Sequence, residues 1–213
     1  MFRINQRCQK VGFNRGPLVM HEAIDQAHTL RAFPWPHLLM DDFLPPEILR
    51  QCLLEIDGDR YDFEIEPRGT GRIEFSLLQS KTLWRAIYSK KTISVLGSAF
   101  RVKVTLNKHN MLQLRRMTPE TPDFPLHSDF VSGDNTIASF LYLSPGWSTR
   151  CGGYFHLFKS NKHSAPALSI EPRQNRFLAF RTEPSHWHAV QKVYDWERLS
   201  VLALWNIEGC ENS

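Results

Sequence analysis

The second half of the chain consists of many short β-rich runs, and this pattern limits the possible folds more than any other feature. Clusters of Pro, Gly, Asn and Asp separate the runs from about residue 101 onward. Seven runs are predicted as strands: 102–106, 111–114, 137–143, 154–158, 176–180, 189–193 and 198–205. So many short strands favour a sandwich or a jelly roll. An ordinary lectin-like sandwich would give a similar pattern, so the strands alone do not define a function.

The first half is predicted to add helices on one side of the β-structure. Residues 21–33 predict a short helix that the following prolines end, and residues 37–40 predict a strand. Pro45 and Pro46 open a predicted helix that continues to about residue 56, and residues 80–100 predict another. The predicted fold class is therefore mainly β: a double-stranded β-helix, or jelly roll, with supporting N-terminal α-helices.

Length and composition predict one compact domain. The chain has 213 residues, of which 42% are hydrophobic and 12% aromatic, and it shows no repeat and no linker. Residues 1–33 are interpreted as a basic arm with a short helix. Residues 34–213 are interpreted as a single domain, with its β-helix at about 101–206.

Charge and apolar runs exclude several classes of partner. The net charge of +4 comes from an acid-free stretch in the first 21 residues, and the rest of the chain is balanced. Nucleic acid and anionic membranes are therefore not expected as partners. No run of 18 apolar residues, no secretory signal and no CxxC pair among the four cysteines is present, which predicts a cytoplasmic protein without a membrane span.

Two residues in the segment PLHSDF have the chemistry of metal ligands. His127 and Asp129 are two apart, and residues i and i+2 of an extended segment point to the same side. An imidazole and a carboxylate, joined by a second histidine, form the ligand set of non-haem Fe(II) oxygenases. The pair alone is weak, because a surface histidine beside a capping aspartate would look the same.

A second group of candidates lies in PSHWHAVQKVYDWERLSVLALW, which fits two consecutive strands. His188 on the first strand could complete the metal site, while Arg198 and Ser200 would point into the barrel from the second. A buried guanidinium needs a protein acid or a dicarboxylate ligand as its partner. From this segment alone, a surface pair of Arg198 with Glu197 or Asp195 remains the simpler alternative.

Taken in order, these elements resemble the Fe(II)- and 2-oxoglutarate-dependent oxygenase superfamily, in its prolyl-4-hydroxylase-like branch. The HxD pair, a Gly-Gly strand, His188 and Arg198-x-Ser200 follow one another as they do in that family. The similarity extends over roughly residues 34–206. The segments that carry it are FPWPHLLMDDFLPPEIL at 33–49, FLYLSPGW at 140–147, CGGYFHLF at 151–158, NRFLAFRT at 175–182 and SHWHAV at 185–190.

The resemblance implies a specific cofactor site. It implies Fe(II) held by His127, Asp129 and His188, with 2-oxoglutarate as cosubstrate and O2 as oxidant. Arg198 would bind the distal carboxylate of 2-oxoglutarate, with support from Ser200. Related halogenases lack the carboxylate ligand, so Asp129 favours hydroxylation.

Tyr142 could offer its phenol to the same carboxylate, or it is an aromatic core residue. The chain also departs from the family, because many relatives have a tyrosine on the strand before HxD, where this sequence reads LRRM at 114–117. The surroundings of the cosubstrate are therefore expected to differ.

Two further predictions concern the neighbourhood of the metal ligands. His186 forms an HxH pair with His188 and could chelate a metal as cupins do, but the spacing to Arg198 favours His188 as the ligand. Pro119, Pro122 and Pro125 predict a stiffened loop rather than a strand before His127, and this loop could line the substrate entrance.

The substrate is only weakly indicated. A small molecule such as an amino acid or a natural-product intermediate is predicted, with a protein prolyl or other residue hydroxylase as the alternative. A non-catalytic, metal-free β-sandwich is the remaining class. Four arginines would offer cations to an acidic substrate or would be solvated surface groups: Arg72, Arg115, Arg116 and Arg150.

Overall fold

A computed structural model describes residues 29–58, 64–65, 74–77, 79–106 and 112–208 of the protein. Residues 1–28 of the predicted arm, and the candidate Arg72, lie outside these ranges. Within them, no helix has both the length and the apolar character that crossing a lipid bilayer requires.

Thirteen strands are present in the part of the chain that the structure describes. In chain order they are β1 (Thr29–Arg31), β2 (His37–Met40), β3 (Glu64–Ile65), β4 (Glu74–Leu77), β5 (Lys103–Leu106), β6 (Gln113–Met117), β7 (Phe124–His127), β8 (Thr136–Tyr142), β9 (Phe155–Leu157), β10 (Leu168–Ile170), β11 (Phe177–Arg181), β12 (His188–Val190) and β13 (Arg198–Glu208). The large sheet has the order β1-β2-β11-β8-β13-β6-β4-β3, with β5 also pairing to β13, and the small sheet has the order β10-β9-β12-β7. Every strand pairing is antiparallel.

The large sheet is buried on both faces. One face packs against helices α1 (Pro46–Gly58), α2 (Lys81–Ile87) and α3 (Lys90–Phe100), with Leu141 and Trp205 in this core. The other face meets the small sheet through a second core that includes Phe155 and Phe180. The sequence of β13 is accordingly largely apolar, as is usual for a strand that is covered on both faces. The predicted double-stranded β-helix with N-terminal helices is confirmed.

The predicted helix over 80–100 is two helices. Ser80 begins α2 by accepting a hydrogen bond from the backbone N–H of Leu83, at 3.1 Å. Ser89 then begins α3 in the same way, accepting from the N–H of Thr92 at 3.1 Å. Because a serine side chain at an N-cap satisfies free backbone donors, the second serine starts a new helix inside the helical stretch.

The helix predicted over 21–33 is wrong where the structure describes it. Thr29–Arg31 forms β1, which pairs with β2, and residues 21–28 lie outside the described ranges. The prolines that follow β1 lie in the short connection to β2. Pairing with this neighbouring strand overrides the local preference for a helix.

The loop predicted before His127 is also wrong, because Phe124–His127 forms β7. Among the described strands, it lies at the edge of the small sheet and pairs only with β12. An edge strand tolerates Pro125 because one side of its backbone needs no hydrogen bonds within the sheet. Strands β3, β4 and β10 were not predicted, and the seven predicted strands of the second half are present with shifted ends.

Candidate active site

Three side chains with metal-ligand chemistry meet at the edge of the small sheet. His127 ends β7 and His188 begins β12, and the two residues are direct partners in the antiparallel register. Their ring centroids are 4.2 Å apart. Asp129 follows His127 by two residues, so its carboxylate returns to the same point.

The Asp129 carboxylate lies between the two imidazoles. Its Oδ1 is 3.3 Å from Nε2 of His127, and its Oδ2 is 3.3 Å from Nε2 of His188. The candidate ligand atoms all lie within 4.8 Å of one another, and no second cluster of this kind occurs among the described residues. His188 is buried, whereas the Asp129 side chain is 35% exposed, so the cluster opens to solvent on one side.

Backbone carbonyls orient both imidazoles. Nδ1 of His127 lies 2.8 Å from the carbonyl oxygen of Pro125, and Nδ1 of His188 lies 2.9 Å from that of His186. A carbonyl can only accept, so each Nδ1 must carry its proton and donate it. In the neutral form of each ring, this tautomer leaves the lone pair of Nε2 free for a metal ion, which is the arrangement that metal-binding histidines use.

The cluster favours an ionised carboxylate. Burial acts to raise the pKa of Asp129, but the charge of His188 and hydrogen bonds from both histidines outweigh it and hold the pKa far below its ordinary value. Burial acts to lower the pKa of His127, and the hydrogen bond and charge of Asp129 reverse this effect. Two imidazoles and one carboxylate with an open side suit non-haem Fe(II).

A buried cation lies between the two sheets. Arg198 begins β13 and is only 2% exposed. Its Nη1 lies 3.4 Å from Oγ of Ser200 and 3.7 Å from Sδ of Met117, its partner in the register with β6. Its Cζ lies 5.0 Å from the ring centroid of Tyr142, at the end of β8. The alternative of a surface pair with Glu197 or Asp195 is therefore wrong.

This pocket holds donors without acceptors. Nε and Nη2 of Arg198 and the hydroxyl of Tyr142 are buried and have no hydrogen-bond partner. Burial raises the pKa of Tyr142 and so keeps its phenol protonated as a donor, whereas burial lowers the pKa of Arg198 and makes an anionic partner more favourable. Since an unpaired buried guanidinium is costly, the pocket has the chemistry to bind an anion that accepts several hydrogen bonds.

Gly153 determines how close the backbone comes to Arg198. Its φ is +73°, and a Cβ there would lie 2.9 Å from Cγ1 of Val193 and 3.3 Å from Cδ of Arg198. Glycine fits both the backbone conformation and the close approach. The Gly-Gly segment therefore packs closely against the side chain of Arg198, a role that the sequence alone did not indicate.

The remaining candidates do not join the site. Nδ1 of His186 lies 2.6 Å from the carbonyl oxygen of Arg181, and His186 is not in the metal-ligand cluster. Arg150 is exposed in a short 3₁₀ turn. Arg115 donates to Gln113 on β6, and Arg116 follows it on the same strand.

Comparison with known proteins identifies the class. Residues 112–206 match the model of the 2OG-Fe(II) oxygenase superfamily, and this segment contains all six predicted site residues. The matched segment has the sequence of a 2OG-Fe(II) oxygenase domain, which indicates that the protein is an oxygenase. Enzymes of this family require Fe(II), 2-oxoglutarate and O2. No curated protein matches the sequence.

Similar solved structures share the fold. A Pseudomonas putida prolyl-4-hydroxylase aligns with a TM-score of 0.61 and 16% identity, covering 81% of this chain and 93% of that one. A 2OG-Fe(II) oxygenase family oxidoreductase from Burkholderia pseudomallei aligns with a TM-score of 0.62 and 14% identity, covering 80% and 84%. HygX from Streptomyces hygroscopicus, solved with nickel and 2-oxoglutarate, aligns with a TM-score of 0.57 and 13% identity, covering 80% and 82%.

Proposed function

We propose that His127, Asp129 and His188 bind Fe(II), and that Arg198, with Ser200 and Tyr142, binds the distal carboxylate of 2-oxoglutarate. One observation carries this assignment: the unpaired donors of Arg198 and Tyr142 are buried in the same barrel as the His-Asp-His cluster. We further propose that residues 34–213 form the single domain that contains both parts.

The two sheets have separate tasks in this proposal. The small sheet supplies the metal ligands, and the large sheet supplies the cation for the far end of the cosubstrate. Fe(II) with 2-oxoglutarate and O2 supplies the oxidising chemistry, while the protein supplies orientation and a dry pocket. Phe155 and Phe180, whose ring centroids lie 5.0 and 5.1 Å from that of His188, keep water from its inner side.

We propose that the reaction is hydroxylation of a small molecule. The strand edge beside the metal ligands, β7, contains Pro125, which lacks an N–H, and the carbonyl of Pro125 already accepts from His127. This edge is therefore a poor template for an extended peptide. Phe130 and Val131 are exposed directly after Asp129, which suits a substrate with an apolar portion.

We propose a cytoplasmic location, because the cysteine side chains fit a reducing compartment. Cys52 and Cys151, the cysteines that the structure describes, are both free. Free thiols are usual in the cytoplasm and unusual in secreted proteins, which supports a cytoplasmic location.

An anaerobic titration tests the proposal. Fe(II) and 2-oxoglutarate added together should give the weak visible charge-transfer band of an iron chelate in the wild type. Arg198→Ala should need far more 2-oxoglutarate for the same band, and Arg150→Ala, which removes an exposed arginine, should match the wild type. The absence of a band in folded wild-type protein would overturn the proposal and favour a metal-free binding protein.

A further inference from the structure

Trp35 connects the large sheet to the loop that leads to a metal ligand. It lies in the connection between β1 and β2, and its Nε1 donates to the carbonyl oxygen of Phe158 at 3.1 Å. Its ring stacks on the ring of His186, with centroids 4.6 Å apart and planes inclined by 18°. The N-terminal hairpin therefore contacts the residue two positions before His188.

The side chain of His186 is held on two sides. The Trp35 ring covers one face, and the Arg181 carbonyl oxygen lies 2.6 Å from Nδ1 of His186. Its backbone N–H also donates to the carbonyl oxygen of Glu183 at 3.0 Å. His186 is 6% exposed. These contacts hold the residue whose carbonyl oxygen accepts the Nδ1 proton of His188, and the N–H of that same peptide, from Trp187, donates to the carbonyl oxygen of Ser185 at 3.0 Å.

The other metal-ligating histidine shows why such a support is needed. His127 and His188 each donate Nδ1 to the carbonyl two residues earlier, in Pro125 and His186 respectively. The ring of Pro125 restricts its own backbone. His186 has no such ring, so its carbonyl can be fixed only by contacts of its side chain and neighbours.

We propose that His186 is a positioning residue for the metal centre: its side chain, held by Trp35 and Arg181, directs the carbonyl that sets the orientation and tautomer of His188. The inference rests on the proposed role of His188 as a metal ligand. It also gives the N-terminal hairpin, through Trp35, an influence on metal binding without any contact with the metal.

Metal affinity and the His188 tautomer test the proposal in the full chain. Zn(II), as a redox-inert probe, is titrated against a competing chelator, and imidazole ¹⁵N NMR of the metal-free protein reports the protonated nitrogen of His188. In His186→Ala we expect Zn(II) affinity to fall about 10-fold, as for other groups behind metal ligands, with a mixed tautomer at His188. His163→Ala, which removes an exposed histidine, should change neither quantity.

Two further variants separate the contacts of His186. His186→Asn keeps an amide donor for Arg181, and His186→Phe keeps the stack on Trp35, so each should restore part of the affinity and still report if His186→Ala does not fold. Wild-type affinity and a single His188 tautomer in folded variants would overturn the proposal. If the wild type binds no metal, the proposed function fails, whereas the tautomer measurement still decides the role of His186.

Discussion

The guanidinium of Arg198 lies over the ring of Tyr142, with Cζ 5.0 Å from the ring centroid, while the Tyr142 hydroxyl has no partner. The ring therefore stabilises the cation, and the hydroxyl is free to donate to the same ligand. An anion bound in this pocket could accept hydrogen bonds from both residues.

Tyr142→Phe should separate these two contributions. The variant keeps the ring over Arg198 but removes a buried hydroxyl that has no acceptor. We expect the free energy of unfolding of the ligand-free protein to rise by about 1 kcal/mol, and 2-oxoglutarate affinity to fall about 10-fold. Chemical denaturation and calorimetric titration measure the two quantities. Equal affinity in the variant would remove Tyr142 from the proposed site.

Arg198→Met should remove the response of the protein to its cosubstrate. The ligand-free variant should be no less stable than the wild type, because the lost guanidinium has two unpaired buried donors. With Zn(II) present, 2-oxoglutarate should raise the melting temperature of the wild type, since it binds only the folded state, and leave the variant unchanged. A similar shift in both proteins would show that the anion binds elsewhere.

Asp129→Asn should weaken metal binding far more than folding. The side chain is 35% exposed and lies between two imidazoles, so the variant loses an anionic metal ligand without opening a cavity in the core. We expect Fe(II) affinity to fall roughly 100-fold, with a small change in melting temperature. Asp134→Asn, in the same loop, is the control and should bind as the wild type does. An unfolded Asp129 variant would make the residue structural.

Gly153→Ala should displace Arg198. The new Cβ would lie 2.9 Å from Val193 and 3.3 Å from Arg198, so we expect about a 10-fold loss of 2-oxoglutarate affinity. Gly146 offers a matched control, because its φ of +72° imposes the same backbone strain while its Cβ would meet nothing within 4 Å. Calorimetric titration should therefore find a loss in Gly153→Ala and none in Gly146→Ala.

Asp41 should contribute to stability in a pH-dependent way. Its Oδ2 accepts from Nη2 of Arg176 at 2.8 Å, and this hydrogen bond, against the opposing effect of burial, lowers the pKa of Asp41 below its ordinary 3.8. Because the pKa of Asp41 is lower in the folded state, the ionised carboxylate stabilises the fold at any pH above its unfolded-state pKa. This stabilisation is lost as the pH falls through its folded-state pKa. Asp41→Asn should therefore cost roughly 1 kcal/mol at pH 7 and little once the pH lies below the folded-state pKa of Asp41, measured by urea unfolding.

The sequence predicted the site best where local geometry decides the outcome. The two-residue spacing of His127 and Asp129 places both side chains together, and the spacing of Arg198 and Ser200 places both inside the barrel. These relations depend on strand periodicity alone, which any extended segment obeys.

The sequence could not predict what depends on register between distant strands. Met117 contacts Arg198 because β6 pairs with β13 across 81 residues, and no local pattern encodes that pairing. Likewise, β1 forms because β2 lies beside it, and Pro125 sits in a strand because β7 is at an edge. Met117 belongs to the segment 114–117, where the sequence departs from the family, and only the fold reveals that this segment contacts Arg198.

The position of β13 also governs how the molecule can fold. It is the last of the described strands in chain order, yet it joins β8 to β6 in the middle of the large sheet. The two flanks of that sheet have no hydrogen-bonded connection until β13 inserts between them, and such non-local pairing makes folding slow. Arg198 and Ser200 enter with this strand, so under the proposed assignment 2-oxoglutarate can bind only after the step that completes the sheet.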